Sequence, residues 1–533
     1  MKKNILLVLA VMILVRCGYL DDYSQDMVVV KSVSDLDEVL LGSVYIPSKE
    51  EVQDLAWGDI GWWLHILDDD INTVITDQAE NRIWNSAMNS AYFGYTTWQM
   101  EVGRSYKGDE LAADNALWDD LYRRINVTNI ILDEIEDLNP ATEEERLDAL
   151  RVRGETHFLR AQFYFLLVNI YAQAYDPENA ETTLGIPLKL TGYVEHDKDK
   201  ASQFERVSVA KVYEQIVKDL KAAVDYFTQS PQTRLFYRAS GEASLLLLSR
   251  VYLYMQDWKN AWQAADDLLK IKSSLKDYAV VKDEDEVISR TNPEILFSQG
   301  SLNVQNAFTG NGGDFCIANG LYRLYADNDY RKELFFTPAS SSDSIALGRK
   351  YKRGLHQSYV SDLFLLRISE AYLNIAEACA MLDDPSGASD WLNIFRRNRI
   401  EGWQDVSYDQ NTVIEEVRKE RRRELCFEGH RWFDLRRYAV CRKAPLRKAI
   451  ERVFAVYDWD SKMKFMRGEV FRLEIDDPAY VFSIPKSVLE FATDMPDNVR
   501  PMRRLTEVIN LYRKRQRSNR WMDCRSKRSL PGF

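Results

Sequence analysis

Cysteine is sparse, and no two cysteines stand close together. Cys17, Cys316, Cys379, Cys426, Cys441 and Cys524 show no CxxC or other metal-ligand spacing, so the sequence carries no zinc motif. Cys379 and Cys426 fall in helical patterns and read as buried thiols. Histidine is scarcer still, at five in 533 residues, with no HExxH and no relay. Basic charge is not in excess: Lys plus Arg total 70 against 82 for Asp plus Glu, a net charge of −12 that argues against a general nucleic-acid binder. Beyond the first residues, no apolar run is long enough to span a bilayer, and Leu245 to Leu248 reads as a buried helix segment. What remains is ordinary globular composition, 46% hydrophobic and 29% charged, with aromatics at 12%. Trp and Tyr fill helix interfaces, and they also make flat platforms for sugars or peptides.

The start of the chain has a targeting pattern. Lys2 and Lys3 precede an apolar run from Ile5 to Val15, the charged-then-apolar form of a secretory signal. The run stops at Cys17, with Leu14 three places before it and Arg16 where a small residue is usual. This resembles a bacterial lipobox, in which the thiol is lipidated and becomes the first residue. Asp21 and Asp22 resemble the acidic tag of surface-directed Bacteroidetes lipoproteins.

The body is a succession of helical periods. Ser34 is a candidate N-cap for a short helix over Asp35 to Pro47, and Trp57 to Thr76 reads as irregular. Leu117 to Leu138 and Glu143 to Tyr171 read as an antiparallel pair. Val209 to Phe227 is a further helix, Ala243 to Ile271 two helices turning at Gln256 and Asp257, and Arg367 to Arg399 two more turning at Asp384 and Pro385. Ala261, Ala264 and Ala265 offer small holes for large side chains such as Tyr252, as in tetratricopeptide units. Asp176 to Arg206 and Asn303 to Leu355 read as long loops, which compact proteins rarely keep without a use. Tyr480 to Pro485 reads as a strand.

One stretch organises the rest: ERRRELCFEGHRWFDLRRY, from Glu420 to Tyr438. Glu420, Glu424 and Glu428 repeat every fourth residue, with Arg418 just before them and Arg422 between them, which predicts ion pairs along a helix flank. Gly429 can take the left-handed conformation that ends the helix, and a second segment with Trp432, Phe433 and Leu435 follows. Glu420, Arg423, Glu424, Leu425, Glu428, Gly429, Arg431, Trp432, Asp434, Leu435 and Arg437 match the pattern E-x-x-R-E-L-x-x-E-G-x-R-W-x-D-L-x-R. The stretch thus resembles the C-terminal signature of the SusD/RagB family of outer-membrane nutrient-binding lipoproteins. The helix with Trp118, Leu121, Tyr122, Ile125 and Asn129, the helix with Glu155, Phe158, Leu159, Arg160, Ala161, Tyr164 and Phe165, and the segment from Glu370 to Ala378 resemble other helices of that family.

The resemblance implies a mostly α fold: a tetratricopeptide-like scaffold of about four helix pairs with long irregular loops and a few short strands. The expected organisation is a signal peptide over 1–16, a lipidated tether over 17–34, the helical domain over 35–499, and a basic tail over 500–533. The implied function is capture of oligosaccharides at the cell surface and delivery to a SusC-like TonB-dependent transporter, without catalysis, cofactor or metal. Peptide capture of the RagB type and a helical-repeat adaptor are the alternatives. Sugar rings stack their C–H faces on aromatic rings while neighbouring polar groups take the hydroxyls. The ligand candidates are therefore Trp84, Tyr92, Tyr95 and Trp98, with Asp69 and Asp70 nearby, and a second set of Phe308, Phe315, Tyr322 and Tyr325. The triplet Asp68 to Asp70 also suggests glycoside hydrolysis or calcium binding, but no second acidic motif accompanies it and no EF-hand pattern surrounds it.

Overall fold

The helices form where apolar period and capping chemistry agree. In the computed structural model, which describes residues 30–47, 61–74, 91–108, 116–193, 205–233, 236–281, 286–302, 304, 315–338, 345–351, 360–458 and 464–509, the long ones are α1 (Ala116–Asp137), α2 (Glu143–Tyr171), α3 (Val209–Gln229), α4 (Gly241–Tyr254), α5 (Trp258–Ile271), α6 (Ile368–Met381), α7 (Pro385–Arg396), α8 (Gln410–Leu425) and α9 (Arg431–Ala439). Thr142 caps α2 by accepting from the Glu145 N–H, and three glutamates in the first turn complement the helix dipole. Gln256 and Asp383 take left-handed backbone conformations at the two predicted turns, and Asp257 and Asp384 then cap α5 and α7. From α1 to α8 each helix packs on the next, and α5 against α6 joins one pair to the next. Ala261 and Ala265 are fully buried in the α4–α5 contact, as the small-hole reading requires.

Several boundaries differ from the sequence reading. The first helix is capped by Ser32, not Ser34, because Ser32 and Asp35 form a reciprocal capping box. It runs over Val33–Val39 and continues as a π-helix over Leu40–Val44. The segment from Tyr480 to Pro485 is not a strand: its Phe482 and Ile484 N–H groups go to the Ile170 carbonyl and the Asp497 side chain. The long loops hold short strand pairs. β1 (Ile71–Thr73) pairs with β5 (Phe315–Ile317), β2 (Leu184–Pro187) with β3 (Arg206–Ser208), β4 (Ile295–Ser298) with β8 (Leu365–Arg367), and β6 (Phe336–Pro338) with β7 (Ile345–Leu347), all antiparallel.

The main element absent from the sequence reading is the hairpin of β9 (Ile450–Asp458) and β10 (Lys464–Leu473). Its Phe454, Val456 and Phe471 close a small apolar cluster with Phe93 and Tyr106, apart from the main core. Nor does the fold stop at 499. Arg500 is buried, donating to the Ala479 and Val481 carbonyls, Arg503 pairs with Asp477, and β11 (Glu507–Ile509) adds to β10. The residues from 510 on lie outside the described residues.

The acidic row, Glu420 and Glu424 on α8 and Glu428 in the turn after it, is buried. Glu420 meets Arg331 and Arg396, at 2.7 and 2.5 Å. Glu424 meets Arg367 at 2.6 Å, Arg331 at 3.0 Å and Arg399 at 3.1 Å. Glu428 takes Arg367 through both oxygens and Lys350 at 2.6 Å. These cations come from the segments around β6 and β7, from β8 and from the end of α7. The same cations and two tyrosines cap the helix end. Lys350 donates to the carbonyls of Glu424 and Cys426, Arg367 to that of Glu424, Tyr325 to that of Arg423 and Tyr351 to that of Phe427. The chain leaves α8 through Phe427 and Gly429, both at positive φ, and an added Cβ at Gly429 would meet Leu363 at 2.6 Å.

Burial raises the carboxyl of Glu424, but Arg399, Arg367 and Arg331 outweigh it and hold the group well below the usual range. A depressed folded value contributes stability that is complete above the unfolded Glu value of about 4.3 and is lost as pH falls. Glu424→Gln should therefore cost about 3–5 kcal/mol in urea unfolding at neutral pH, because it leaves buried guanidinium groups short of a charge. The gap from wild type should narrow in acid, and Glu415→Gln, at an exposed position, should change little.

Candidate ligand-binding region and the acidic triplet

Residues 68–70 lie just before β1, at the end of a turn that follows a 3₁₀-helix over Trp62–Ile66. The turn is fixed locally, since the Asp70 N–H donates to the Asp68 carboxylate at 2.9 Å and the Asp70 carbonyl accepts from Ala318, next to β5. Four cations converge on it from the C-terminal part of the chain. Arg431 takes both Asp69 oxygens, at 2.7 and 3.0 Å, and Lys448 takes one of them. Arg422 bonds Asp70 at 2.7 Å, and Arg452 donates to the Asp68 carbonyl while lying over the Trp98 ring.

The three carboxyls have different electrostatics. Burial drives Asp68 well above the usual range, with Asp70 and Asp69 adding to it. Asp70 is raised by burial against the pull of Arg422 and Arg431. At Asp69 burial is outweighed by Arg431 and Arg422, which hold it well below the usual range. The three side chains stand close enough to share a cation, but Asp69 and Asp70 already accept from Arg431, Arg422 and Lys448. A metal ion would have to displace these partners. Glycoside hydrolysis needs a protonated carboxyl as general acid and an ionised carboxylate open to the reacting bond, and here Asp69 and Asp70 are engaged by Arg431, Lys448 and Arg422.

The aromatic candidates divide by burial. Tyr95 is 2% exposed and stacks on Trp63 at 4.8 Å between centroids. Trp98 is 1% exposed and donates its indole N–H to the Leu67 carbonyl at 2.9 Å. Phe315 is buried on β5 opposite Thr73, and Tyr325 is buried with its hydroxyl on the Arg423 carbonyl. These four are interior residues here. Tyr92 and Tyr322 are half-buried: Tyr92 packs on Tyr95, while Tyr322 meets Phe336 edge-on with Lys332 over its ring. Trp84, Phe308 and Cys17 lie outside the described residues. The structure thus brings Trp98, the triplet and the signature helices together, but as one packed interior. The four cations were not predicted as its partners, and only the acid runs in one half and the arginines in the other hinted at it.

Residues 62–253 match a SusD-like family described as starch-binding and associating with the outer membrane, and residues 346–499 match the SusD family itself. The chain belongs to the SusD/RagB family. It is 22% identical over 388 residues to the SusD-like protein P25 of Formosa agariphila, covering 61% of this chain and 70% of that one. It is 22% identical over 375 residues to a SusD-like protein of Bacteroides ovatus, covering 60% and 64%. Among solved structures, a putative sugar binding protein of Bacteroides vulgatus superposes with a TM-score of 0.66 at 22% identity, covering 89% of this chain and 99% of that one. A SusD superfamily protein of Bacteroides thetaiotaomicron gives 0.65 at 20%, covering 88% and 100%. These likenesses establish the tetratricopeptide-like helical fold of SusD proteins for this chain. Among the described residues, no helix is long and apolar enough to cross a membrane.

Asp69→Asn should cost about 3–5 kcal/mol, because it leaves Arg431 buried without its charge partner. That loss is full above the unfolded Asp value of about 3.9 and fades as pH falls. Asp68→Asn should do the opposite. A raised folded value penalises folding increasingly as pH rises from about 4, so this variant should match wild type in acid and gain on it toward neutrality. Unfolding midpoints across pH for the two variants check both signs.

Proposed function

We propose that this protein is a cell-surface lipoprotein that binds oligosaccharides and passes them to a SusC-like TonB-dependent transporter, with no catalytic step of its own. The observation that carries this reading is the match of its first helical half to a family described as starch-binding and associating with the outer membrane. The occupied acidic triplet supports the non-catalytic part, since its charged carboxylates hold structural cations. Lipidation at Cys17 would supply the membrane attachment without a spanning helix. For ligand contact we assign Tyr92 and Tyr322, the candidates whose rings are half-buried with part of their surface open to solvent.

Calorimetric titration against a panel of neutral oligosaccharides should show saturable binding, and Tyr92→Ala or Tyr322→Ala should weaken it about fivefold or more, the loss of over about 1 kcal/mol that marks truncation of an important contact residue. Binding to peptides with none to any glycan would replace the sugar by a peptide. Cys17→Ala should move the protein from the membrane fraction to the soluble fraction. An unchanged distribution would remove the lipid anchor from the proposal.

A further inference from the structure

Adjacent arginines on α9 have opposite fates. Arg437 is held by Glu377 through two bonds, at 2.6 and 2.8 Å, and by Asp434 at 2.7 Å. Arg436 is 5% exposed, yet among the described residues no carboxylate pairs with it. Its Nη2 donates to the Ala172 carbonyl, and its Nη1 has no acceptor. Arg206 and Arg500 also lack a paired carboxylate, but backbone carbonyls meet them on several sides. A buried guanidinium with one carbonyl is an expensive arrangement. Burial pushes it down to about 10, with only tyrosine hydroxyls acting in its favour.

Arg436 lines a cavity of about 200 Å³. Leu435, Ala439 and Pro478 supply apolar wall, and Tyr480 lines it with a ring stacked on Trp432 at 4.9 Å. Gln173 adds a polar group. The other charges on the lining are already matched: Arg447 with Asp476, Lys448 with Asp69, and Asp477 with Arg503. The side chains of Arg447, Asp476 and Lys448 are roughly half exposed and form the rim, so the single unmatched charge is the buried cation. The volume suits one sugar ring rather than a chain.

From the unpaired Arg436 and the ring-sized cavity beside it, we infer a binding site for a carboxylate-bearing sugar residue, a uronic acid. The carboxylate pairs with the guanidinium, the Tyr480 wall receives the ring, and Gln173 and the rim take hydroxyls. The choice of a sugar acid over a bare anion rests on the glycan reading above, whereas the anion site does not. The site is separate from Tyr92 and Tyr322, so the two can be tested apart.

The test is titration and thermal unfolding of the full protein with glucuronate, with glucose, and with inorganic sulfate. Glucuronate should bind saturably and raise the unfolding midpoint, and glucose should do neither at the same concentration. Arg436→Met should abolish that binding by tenfold or more, and without ligand it should unfold at or above the wild-type midpoint because it removes a buried unpaired charge. Ala439→Leu, which fills the cavity and leaves Arg436 in place, should also weaken glucuronate. Failure of glucuronate to bind while neutral oligosaccharides still do would overturn the inference and leave the proposed function standing. Loss of both would overturn both. Sulfate binding more tightly than glucuronate, or glucuronate binding untouched by either variant, would overturn the sugar-acid site.

Discussion

The buried acidic row of α8 is the constraint on which the rest of the structure depends. Glu420 and Glu424 on α8, and Glu428 just past its end, each bring a charge into the interior, and none is matched by α8 alone. Their partners arrive from the segment around Arg331, from Lys350, from Arg367 at the start of α6, and from Arg396 and Arg399 at the end of α7. The helix pair α6–α7, the irregular region between β5 and β8, and the signature helix are therefore held to one geometry. Replacing such a network with apolar side chains is often stabilising, but removing one member leaves charges stranded. That asymmetry favours a single arrangement over a loose set of helix packings. The termination of α8 depends on the same groups, because Lys350 and Arg367 also take its last carbonyls.

A second ion cluster performs the same task between the ends of the chain. Asp68 to Asp70 lie ahead of the first strand, and Arg422, Arg431, Lys448 and Arg452 lie in the C-terminal region. The hairpin of β9 and β10 carries Arg452 over Trp98, and its aromatic face covers Phe93 and Tyr106. Residues that looked like a ligand platform are in this way the floor beneath the hairpin.

What the sequence disclosed followed the range of the interactions. Helices α1 to α9 were legible because their signals are local: apolar period, Thr142, Asp257 and Asp384 as caps, and left-handed turn residues between them. Gly429 was legible for the same reason. The hairpin was not, because charged residues such as Arg452 and Glu469 interrupt its apolar alternation, and both are buried here, Arg452 against the distant Asp68 carbonyl and Glu469 with the distant Tyr106 as well as Arg467. Tyr480 to Pro485 has a strand's pattern but finds a helix carbonyl and an aspartate in place of a neighbouring strand. The aromatic candidates failed to sort by residue type, since Trp98 and Tyr95 carry the same side chains whether they meet a sugar or the Leu67 carbonyl and Trp63. The spacing of Glu420, Glu424 and Glu428 predicted ion pairs along a helix flank but not that most of the partners come from outside the helix, because spacing gives a face and says nothing of what covers it.

The acidic triplet also sets an order of events during synthesis. Its charge partners lie 352 to 384 positions later in the chain. A growing polypeptide thus carries three neighbouring aspartates long before the cations that meet them in the folded protein have been made. Until then, Trp98 has no guanidinium above it and Phe93 no strand to cover it. Covering Trp98 and Phe93 therefore depends on contacts of very high sequence separation, the kind that are slowest to form.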